Sequence, residues 1–377
     1  MKLALRRGLA CLPLLSVLLL ASCQQPPAQR AEPLTIAGYP LAPANVVFDL
    51  ERENMKTAWR VEYGQTTRGT LSHICSVGDY LVAEGADHQV HVYNAADFGR
   101  YKSGVVMEGP LQAPPAVYGN KLLLTSNNRI FTFDVDAGTL GKGLRTRMPV
   151  SATPLIFKDS LILAGEDGDV ARVSMTNLEP LWIKSIDGPI LDQPVMDNGI
   201  IYTDAQMGEA IALQAEDGKE LWRLKPTGPA KFSSGIAVYG KTCYVGDQLG
   251  TLYGLDAEFG KVTWRKSLPA PVVGVPQVVG DKVFVFTNQP GVACLKAGDG
   301  PDSLWTLDGA CKLLATSKTL GYFLMKDNCI AAVALADGKE LWRDPMPKGT
   351  MVAGSASRPE FFIANAAGAI VAIAELE

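Results

Sequence analysis

The hydrophobic residues of this chain lie in short alternating or β-branched runs rather than at helical spacing. The run from Val278 to Phe286 has the turn Gly280-Asp281 at its middle, which is typical of a β-hairpin. The same pattern recurs about every 40 residues, and no segment sustains a helical period. The pattern therefore predicts an all-β protein built from a repeated unit.

Tryptophans mark the repeat. Five of the six follow one another at intervals of 37 to 42 residues, and the sixth, Trp59, lies 123 residues before Trp182, which is three periods. The five are Trp182, Trp222, Trp264, Trp305 and Trp342. Two intervening units have therefore lost the tryptophan.

The hairpin turn gives a second, independent count. Aligned on it, equivalent positions are 39 to 42 residues apart and number eight: Ile74, Pro115, Pro154, Pro194, Ile236, Pro276, Ala315 and Gly354. Each unit contains four short strands, which in the fifth unit we predict at 235–239, 241–246, 251–256 and 262–267. Four strands per unit of about 40 residues predict an eight-bladed β-propeller of four-stranded antiparallel blades over residues 46–377.

The ends of the chain predict how the ring closes. The last unit, from Met351, supplies three strands, whereas Ala58 to Glu62 has the fourth-strand pattern and precedes the first complete unit. We expect these N-terminal and C-terminal strands to pair in one blade, which leaves no sheet edge open there. The degraded units are the first, second and third, with Tyr101 near the tryptophan place, Leu144 at it and Leu178 at the glycine place.

The N-terminus has the pattern of a targeting segment. Lys2, Arg6 and Arg7 precede an apolar run from Leu9 to Leu20, which is short for a spanning helix. The run ends in Leu20-Ala21-Ser22-Cys23, which resembles a bacterial lipobox, so we predict a signal peptide at 1–22 and acylation, of the palmitate kind, on Cys23. The alternative is an ordinary cleaved signal followed by a cysteine that is there by chance.

The residues after Cys23 predict where the protein resides. Gln24 stands where an aspartate commonly retains lipoproteins in the inner membrane, so the resemblance implies the periplasmic face of the outer membrane, with the lipid as the sole membrane contact. Residues 23–45 contain five prolines and are predicted to form an extended tether.

Composition narrows the function classes. With 47% hydrophobic and 20% charged residues the chain is not of the disordered class. A net charge of −4 without a basic block argues against nucleic acid as a partner. Three histidines leave little material for a histidine-based metal site or general base.

The unit endings carry a family resemblance. Asp217-Gly218-Lys219-Glu220-Leu221-Trp222-Arg223, together with the segments around Gly260 and Trp264 and around Gly338 and Trp342, resembles the pyrroloquinoline-quinone (PQQ) type propeller repeat. The glycine permits a positive-φ turn, and the tryptophan then docks between neighbouring blades. We therefore give Gly218, Gly260, Gly338 and the six tryptophans a structural role.

Eight such blades behind a lipobox resemble the BamB-like lipoproteins of the outer-membrane β-barrel assembly machinery. The resemblance implies a monomeric, non-enzymatic scaffold without a cofactor, whose partners are the assembly complex and unfolded clients, met through loops or by strand addition at a blade edge. The alternative is a protein that binds PQQ or another small ligand in the central funnel, lined by Gln112 to Val117 and Leu191 to Val195, including a quinoprotein-type oxidoreductase. Those enzymes carry an adjacent cysteine pair, a calcium site and an aspartate base, and this sequence has no Cys-Cys pair.

Other candidate sites have structural explanations. His88 and His91 would point to opposite faces of one strand, because their numbers differ by an odd number. We therefore expect a solvated edge, and the alternative is a metal site formed if the chain turns at His88. Glu166-Asp167-Gly168-Asp169 falls where a hairpin turn is predicted. Outside the leader and Cys23 five cysteines remain, which we expect to be mostly free and buried, with one bridge among the last three left open: Cys75, Cys243, Cys294, Cys311 and Cys329.

Overall fold

The computed structural model describes residues 35–36, 39–40, 51–52, 55–63, 70–205, 208–226, 228–356 and 358–375. The predicted signal peptide, Cys23 and most of the predicted tether lie outside these residues. The chain divides into two compact units, residues 1–43 and 44–377. In the first, Thr35–Ile36 and Tyr39–Pro40 pair as antiparallel strands. No helix in the described ranges has the length and apolar character needed to cross a membrane.

The second unit folds as the predicted propeller. Its described residues form eight antiparallel sheets, which we number as blades 1 to 8 in chain order. Blade 1 comprises Leu71–Val77, Tyr80–Gly85, Gln89–Asn94 and Arg100–Val106, and blade 2 comprises Ala116–Tyr118, Lys121–Ser126, Arg129–Asp134 and an outer strand split into Thr139–Leu140 and Leu144–Arg145. Blade 3 comprises Leu155–Phe157, Ser160–Ala164, Asp169–Ser174 and Pro180–Ser185, and blade 4 comprises Val195–Asp197, Ile200–Asp204, Ala210–Gln214 and Glu220–Leu224. A 3-10 turn at Ala95–Asp97 follows the third strand of blade 1.

The remaining blades are equally regular. Blade 5 comprises Phe232–Tyr239, Thr242–Asp247, Thr251–Asp256 and Val262–Ser267, and blade 6 comprises Val272–Val279, Lys282–Thr287, Gly291–Lys296 and Ser303–Asp308. Blade 7 comprises Ala310–Thr316, Leu320–Met325, Cys329–Ala334 and Glu340–Pro345. Blade 8 comprises Met351–Gly354, Glu360–Ala364 and Ala369–Glu375 and is completed by Met55–Glu62. Glu51–Arg52 pairs outside that last strand. The third and fourth strands of blade 5 have the bounds predicted from the sequence.

Ring closure is confirmed. Met55–Glu62 pairs antiparallel with Ala369–Glu375, and Trp59 stands opposite Ala372. The first strands lie innermost, and those of blades 8 and 1, 2 and 3, 4 and 5, 5 and 6, and 7 and 8 contact one another. Hydroxyl groups join this ring, since Thr153 donates to the carbonyl of Pro114 at 2.9 Å and Ser233 to that of Val272 at 3.0 Å.

The core lies between blades rather than at one centre. Each hydrophobic cluster joins two neighbours, as where Tyr202 and Trp222 of blade 4 pack with Phe232 and Tyr253 of blade 5. Because every blade buries its faces against the next, the ring is stable only when it is complete.

Candidate functional site

The repeat residues singled out by the sequence lie at the junctions between blades. Gly260 has φ +66° and sits on the indole of Trp222, so that a Cβ there would stand 2.5 Å from Cδ2 of the ring. Gly218 and Gly338 have the same relationship to Trp182 and Trp305, both at 2.7 Å. These glycines therefore combine a left-handed turn with a close approach that no side chain fits.

The same tryptophans hydrogen-bond across the junction. The indole Nε1 of Trp182, Trp222 and Trp305 donates to a carbonyl of the next blade, that of Ala215, Ala257 and Leu335, at 3.1, 2.8 and 3.0 Å. Trp59 and Trp264 are also buried, but their Nε1 atoms have no hydrogen-bond partner among the described residues. Trp342 is half-buried beside Tyr322, with ring centroids 6.2 Å apart.

The degraded units depart from this arrangement in different ways. In blade 1 the residue opposite Val92, where the tryptophan stands in other blades, is Ser103 rather than Tyr101. Leu178 adopts φ +57° at the glycine place of blade 3 and is buried with Leu144 of blade 2. Leu144 stands opposite Ile130, two residues from the register position that the tryptophan occupies in other blades, so the prediction that it stands at the tryptophan place of blade 2 is wrong.

The rim of the propeller consists of the outer strands. The residue after the tryptophan is arginine in blades 4, 5, 7 and 8, namely Arg223, Arg265, Arg343 and Arg60. Arg223 and Arg343 are held by Glu220 and Glu340 of the same strand, with Nε–Oε1 distances of 3.0 Å. Charged side chains on an edge strand discourage pairing with another chain.

The outer strand of blade 3 lacks this protection. Its sequence, Pro180 to Ser185, places Ile183 where blades 4, 5, 7 and 8 have arginine, blade 6 has Thr306 and blade 1 has Gly104. Leu181 and Ile183 are 56% and 50% exposed. Two charged residues lie beside this edge: Lys184 is engaged by Glu220 of blade 4 at 2.9 Å, and Asp169 accepts a hydrogen bond from the hydroxyl of Ser185. The exposed side chains of the strand are therefore apolar at Leu181 and Ile183, with the Asp169 carboxylate beside Ser185.

The backbone of this strand also offers hydrogen-bonding groups to solvent. The amide of Ile186 donates to the carbonyl of Gly168 at 2.9 Å, which fixes the alternation of inward and outward groups. Since Ile183 and Ser185 stand opposite Ala171 and Asp169 at the intervening positions, their N–H and C=O groups face outward. No residue that the structure describes pairs with them.

Two cavities lie along the inner strands, at the ends where these strands turn into the second strands. One, of about 390 Å³, is formed by blades 6, 7 and 8; the other, of about 400 Å³, by blades 1 to 4, where Pro114 to Val117 and Gln193 of the predicted funnel line it. The first contains one titratable lining residue, Lys312, and the second none.

One buried acid lies near the inner ring. Asp204 ends the second strand of blade 4 and is 4% exposed. Burial, followed by the charge of Asp192, raises the pKa of Asp204 to about 7 from its ordinary value of 3.8. Burial also raises the pKa of Asp192. The pair can hold a proton near neutral pH.

The histidines are placed differently from the expectation. His91 does not lie at a solvated edge: it is 9% exposed and packs against Tyr63, with ring centroids 4.5 Å apart. Burial lowers the pKa of His91. His88, with φ 61°, belongs to the turn before the strand. Within the described ranges, no group of three or more metal-ligating side chains is close enough to hold an ion.

The acidic segment at Glu166 to Asp169 and the cysteines have simple structural explanations. Glu166 to Asp169 forms the predicted hairpin turn between Ser160–Ala164 and Asp169–Ser174. All five described cysteines are free, and Cys311 is exposed rather than buried. It falls in a register shift between Ala310 and Lys312. The described residues do not supply the cysteine pair and calcium ligands that a quinoprotein enzyme would need, so we derive no step through a quinone.

Comparison with known proteins places this arrangement in a family. The model described as outer membrane protein assembly factor BamB matches residues 144–231 and 206–353, together more than half of the chain. The chain belongs to the BamB family. Outer membrane protein assembly factor BamB of Marinobacter adhaerens is 29% identical over 79 residues, a stretch that spans 21% of this chain and 20% of that relative.

Solved structures share the fold. BamB from Moraxella catarrhalis superposes with a TM-score of 0.68 at 14% identity, over 85% of this chain and 99% of that one. The designed protein Ika8 gives 0.66 at 14% identity, covering 82% and 97%, and quinohemoprotein alcohol dehydrogenase from Comamonas testosteroni 0.64 at 12%, covering 86% and 78%. At these identities the likeness concerns the fold alone.

Two features escaped the sequence reasoning. The replacement of arginine by Ile183 could have been seen in the sequence, because the Trp-Arg pair recurs at four other unit endings. Lys312 was also visible as a charge on an inner strand, but its isolation depends on which side chains surround the cavity, and that requires the folded ring.

Proposed function

We propose that this protein is a non-catalytic scaffold at the periplasmic face of the outer membrane, anchored by acyl chains on Cys23, that assists assembly of outer-membrane proteins. Membership of the BamB family supports the class of function. The apolar edge of blade 3, formed by Leu181 and Ile183, is the observation that carries the mechanism, because the ring presents it in a fixed orientation.

The edge of blade 3 acts by strand addition. An extended client pairs its backbone with the outward N–H and C=O groups of Ile183 and Ser185, while its apolar side chains cover Leu181 and Ile183. Transmembrane β-strands alternate apolar and polar residues, so an unfolded outer-membrane protein supplies such segments repeatedly. The charged edges of blades 4 and 7 direct the client to blade 3 by being unfavourable for pairing.

Site-specific photocrosslinking in the envelope tests the scaffold role. A photoreactive residue replaces Ile183, and in a matched variant it replaces Leu341, which is 51% exposed on the outer strand of blade 7 beside a charged arginine. We expect position 183 to crosslink to outer-membrane proteins or to components of their assembly machinery, and position 341 to give far less. Equal yields at both positions, or no envelope protein at either, would contradict the proposal.

The lipid anchor needs its own experiment. Cys23→Ala should remove the protein from the outer-membrane fraction, because no acyl chain can then be attached at position 23. Retention of the variant in the outer-membrane fraction would show that something other than Cys23 lipidation holds it there.

A further inference from the structure

The cavity formed by the inner strands of blades 6, 7 and 8 has an amphipathic lining. Val278, Leu314 and Ala315 supply an apolar wall, and Gln277 and Thr316 supply neutral polar groups. Its volume of about 390 Å³ is in the range of small-molecule sites, which are mostly apolar with a few polar groups that fix the orientation of the ligand.

Lys312 gives this cavity its sole charge. It makes no hydrogen bond or ion pair with any residue in the described part of the chain, and no carboxylate lines the cavity. The turn alignment makes Lys312 equivalent to Ser233 in blade 5 and Val273 in blade 6, and the equivalent residues of the other five blades are likewise uncharged. The lysine is therefore an exception at this level of the inner ring.

The charge of Lys312 also acts on blade 1. Burial, with a further increase from Glu84, raises the pKa of the Cys75 thiol of blade 1 to about 12, while Lys312 acts in the opposite direction. A cleft that carries one sign of charge between low-dielectric walls concentrates ions of the other sign.

We infer that this cavity binds a small amphiphilic anion. A carboxylate or phosphate monoester pairs with the ammonium group of Lys312, and a short apolar body lies against Val278, Leu314 and Ala315. This site is separate from the edge of blade 3, and neither depends on the other.

Calorimetric titration with ligands that share one tail tests the inference. The probes are octanoate, octyl phosphate and octylamine at pH 7.5, added to the full folded chain. We expect saturable 1:1 binding of at least one of the two anions, at least tenfold tighter than that of octylamine. The tighter of the two anions identifies the preferred head group. Octylamine binding as tightly as both anions, or no saturable binding of either anion, would overturn the inference.

Three variants separate the site from general effects of charge. Lys312→Met removes the charge but keeps an unbranched side chain only one atom shorter, and should weaken binding of the anions at least tenfold, whereas Lys312→Arg should retain it. Lys318→Met removes an exposed lysine of the same blade outside the cavity and should leave binding unchanged. Unaltered affinity in Lys312→Met, with the melting temperature of the ring preserved, would refute the role of this lysine. Ala356→Trp, which narrows the cavity, should also abolish binding.

Discussion

Gly260 lies against the indole of Trp222 so closely that a methyl group at position 260 would stand 2.5 Å from Cδ2 of the ring. The glycine belongs to blade 5 and the tryptophan to blade 4, so the contact joins two units that are 38 residues apart in the sequence. It repeats at three further junctions, between Gly218 and Trp182, Gly338 and Trp305, and Gly99 and Trp59, so this contact recurs as the close approach between neighbouring blades.

Gly260→Ala should therefore cost more stability than its φ of +66° alone explains. Gly240→Ala provides the matched control, because Gly240 has φ +58° with nothing near the position of the added Cβ. The control should lose about 1–2 kcal/mol from left-handed strain, and Gly260→Ala a further ~1–3 kcal/mol from overpacking. Urea unfolding monitored by tryptophan fluorescence measures both. Equal losses would show that the Trp222 contact carries no energy.

Trp222→Phe and Trp264→Phe should differ although both remove a buried indole. The Nε1 of Trp222 donates to the carbonyl of Ala257 at 2.8 Å, whereas that of Trp264 has no partner among the described residues. Removing the first leaves a buried acceptor unpaired, while removing the second relieves an unpaired donor. We expect Trp222→Phe to be the more costly by ~1–2 kcal/mol in the free energy of unfolding. The reverse order would contradict the assigned hydrogen bonds.

Deletion of residues 46–64 should destabilise the whole ring rather than one end. The segment contains Met55–Glu62, whose loss exposes the third strand of blade 8 and removes Trp59 from its contact with Phe362. Amide hydrogen exchange should accelerate in blades 1 and 7 as well as in blade 8, and a synthetic peptide of residues 51–63 should restore protection. Exchange that rises in blade 8 alone would contradict a ring stabilised by closure.

Stability should depend on pH through Asp204. Its folded-state pKa of about 7 lies above the ordinary value of 3.8, so between these values the folded state binds more protons than the unfolded state. Stability is then greatest at low pH and falls as pH rises towards 7, by at most about 1.4 kcal/mol per unit from this group. Asp204→Asn should flatten that part of the stability profile measured by chemical unfolding at a series of pH values. Asp281→Asn is the control, because Lys282 lowers the pKa of Asp281 and its contribution has the opposite sign.

The sequence predicted the fold well because the decisive signals are local. A regular unit has one glycine at a positive-φ turn and one tryptophan four residues later at the junction with the next blade. The spacing of these residues along the sequence therefore gives the number of blades. The strand that closes the ring could also be predicted, because Ala58 to Glu62 has the fourth-strand pattern but the three other strands of a unit do not precede it.

The exposure of His91 and of Cys311 was predicted wrongly, because it depends on structure beyond a single strand. The parity argument for His91 treated residues 88 to 91 as a single strand, but His88 turns at φ 61° and the strand begins at Gln89. What buries His91 is Tyr63, which reaches it from the N-terminal segment. Cys311 is exposed because a local register shift disturbs the inner strand, and such irregularities leave no mark on hydrophobic periodicity.

The candidate site was only partly predictable. Strand addition at a blade edge was expected in general terms, yet which edge is open follows from comparing Ile183 with the arginines that the folded ring places at equivalent points of the rim. Substituting Ile183→Arg restores the pattern of blades 4 and 7, and Leu341→Arg adds the same charge to an edge that is already protected.

Amide hydrogen exchange at Ile183 and Ser185, in the presence of a synthetic peptide with alternating apolar and polar residues, tests strand addition at blade 3 most directly. The peptide should slow exchange at these two amides by at least tenfold in the native chain and in Leu341→Arg, and have no effect in Ile183→Arg. Unchanged exchange at both amides while the peptide is bound, or equal protection in Ile183→Arg, would contradict the account.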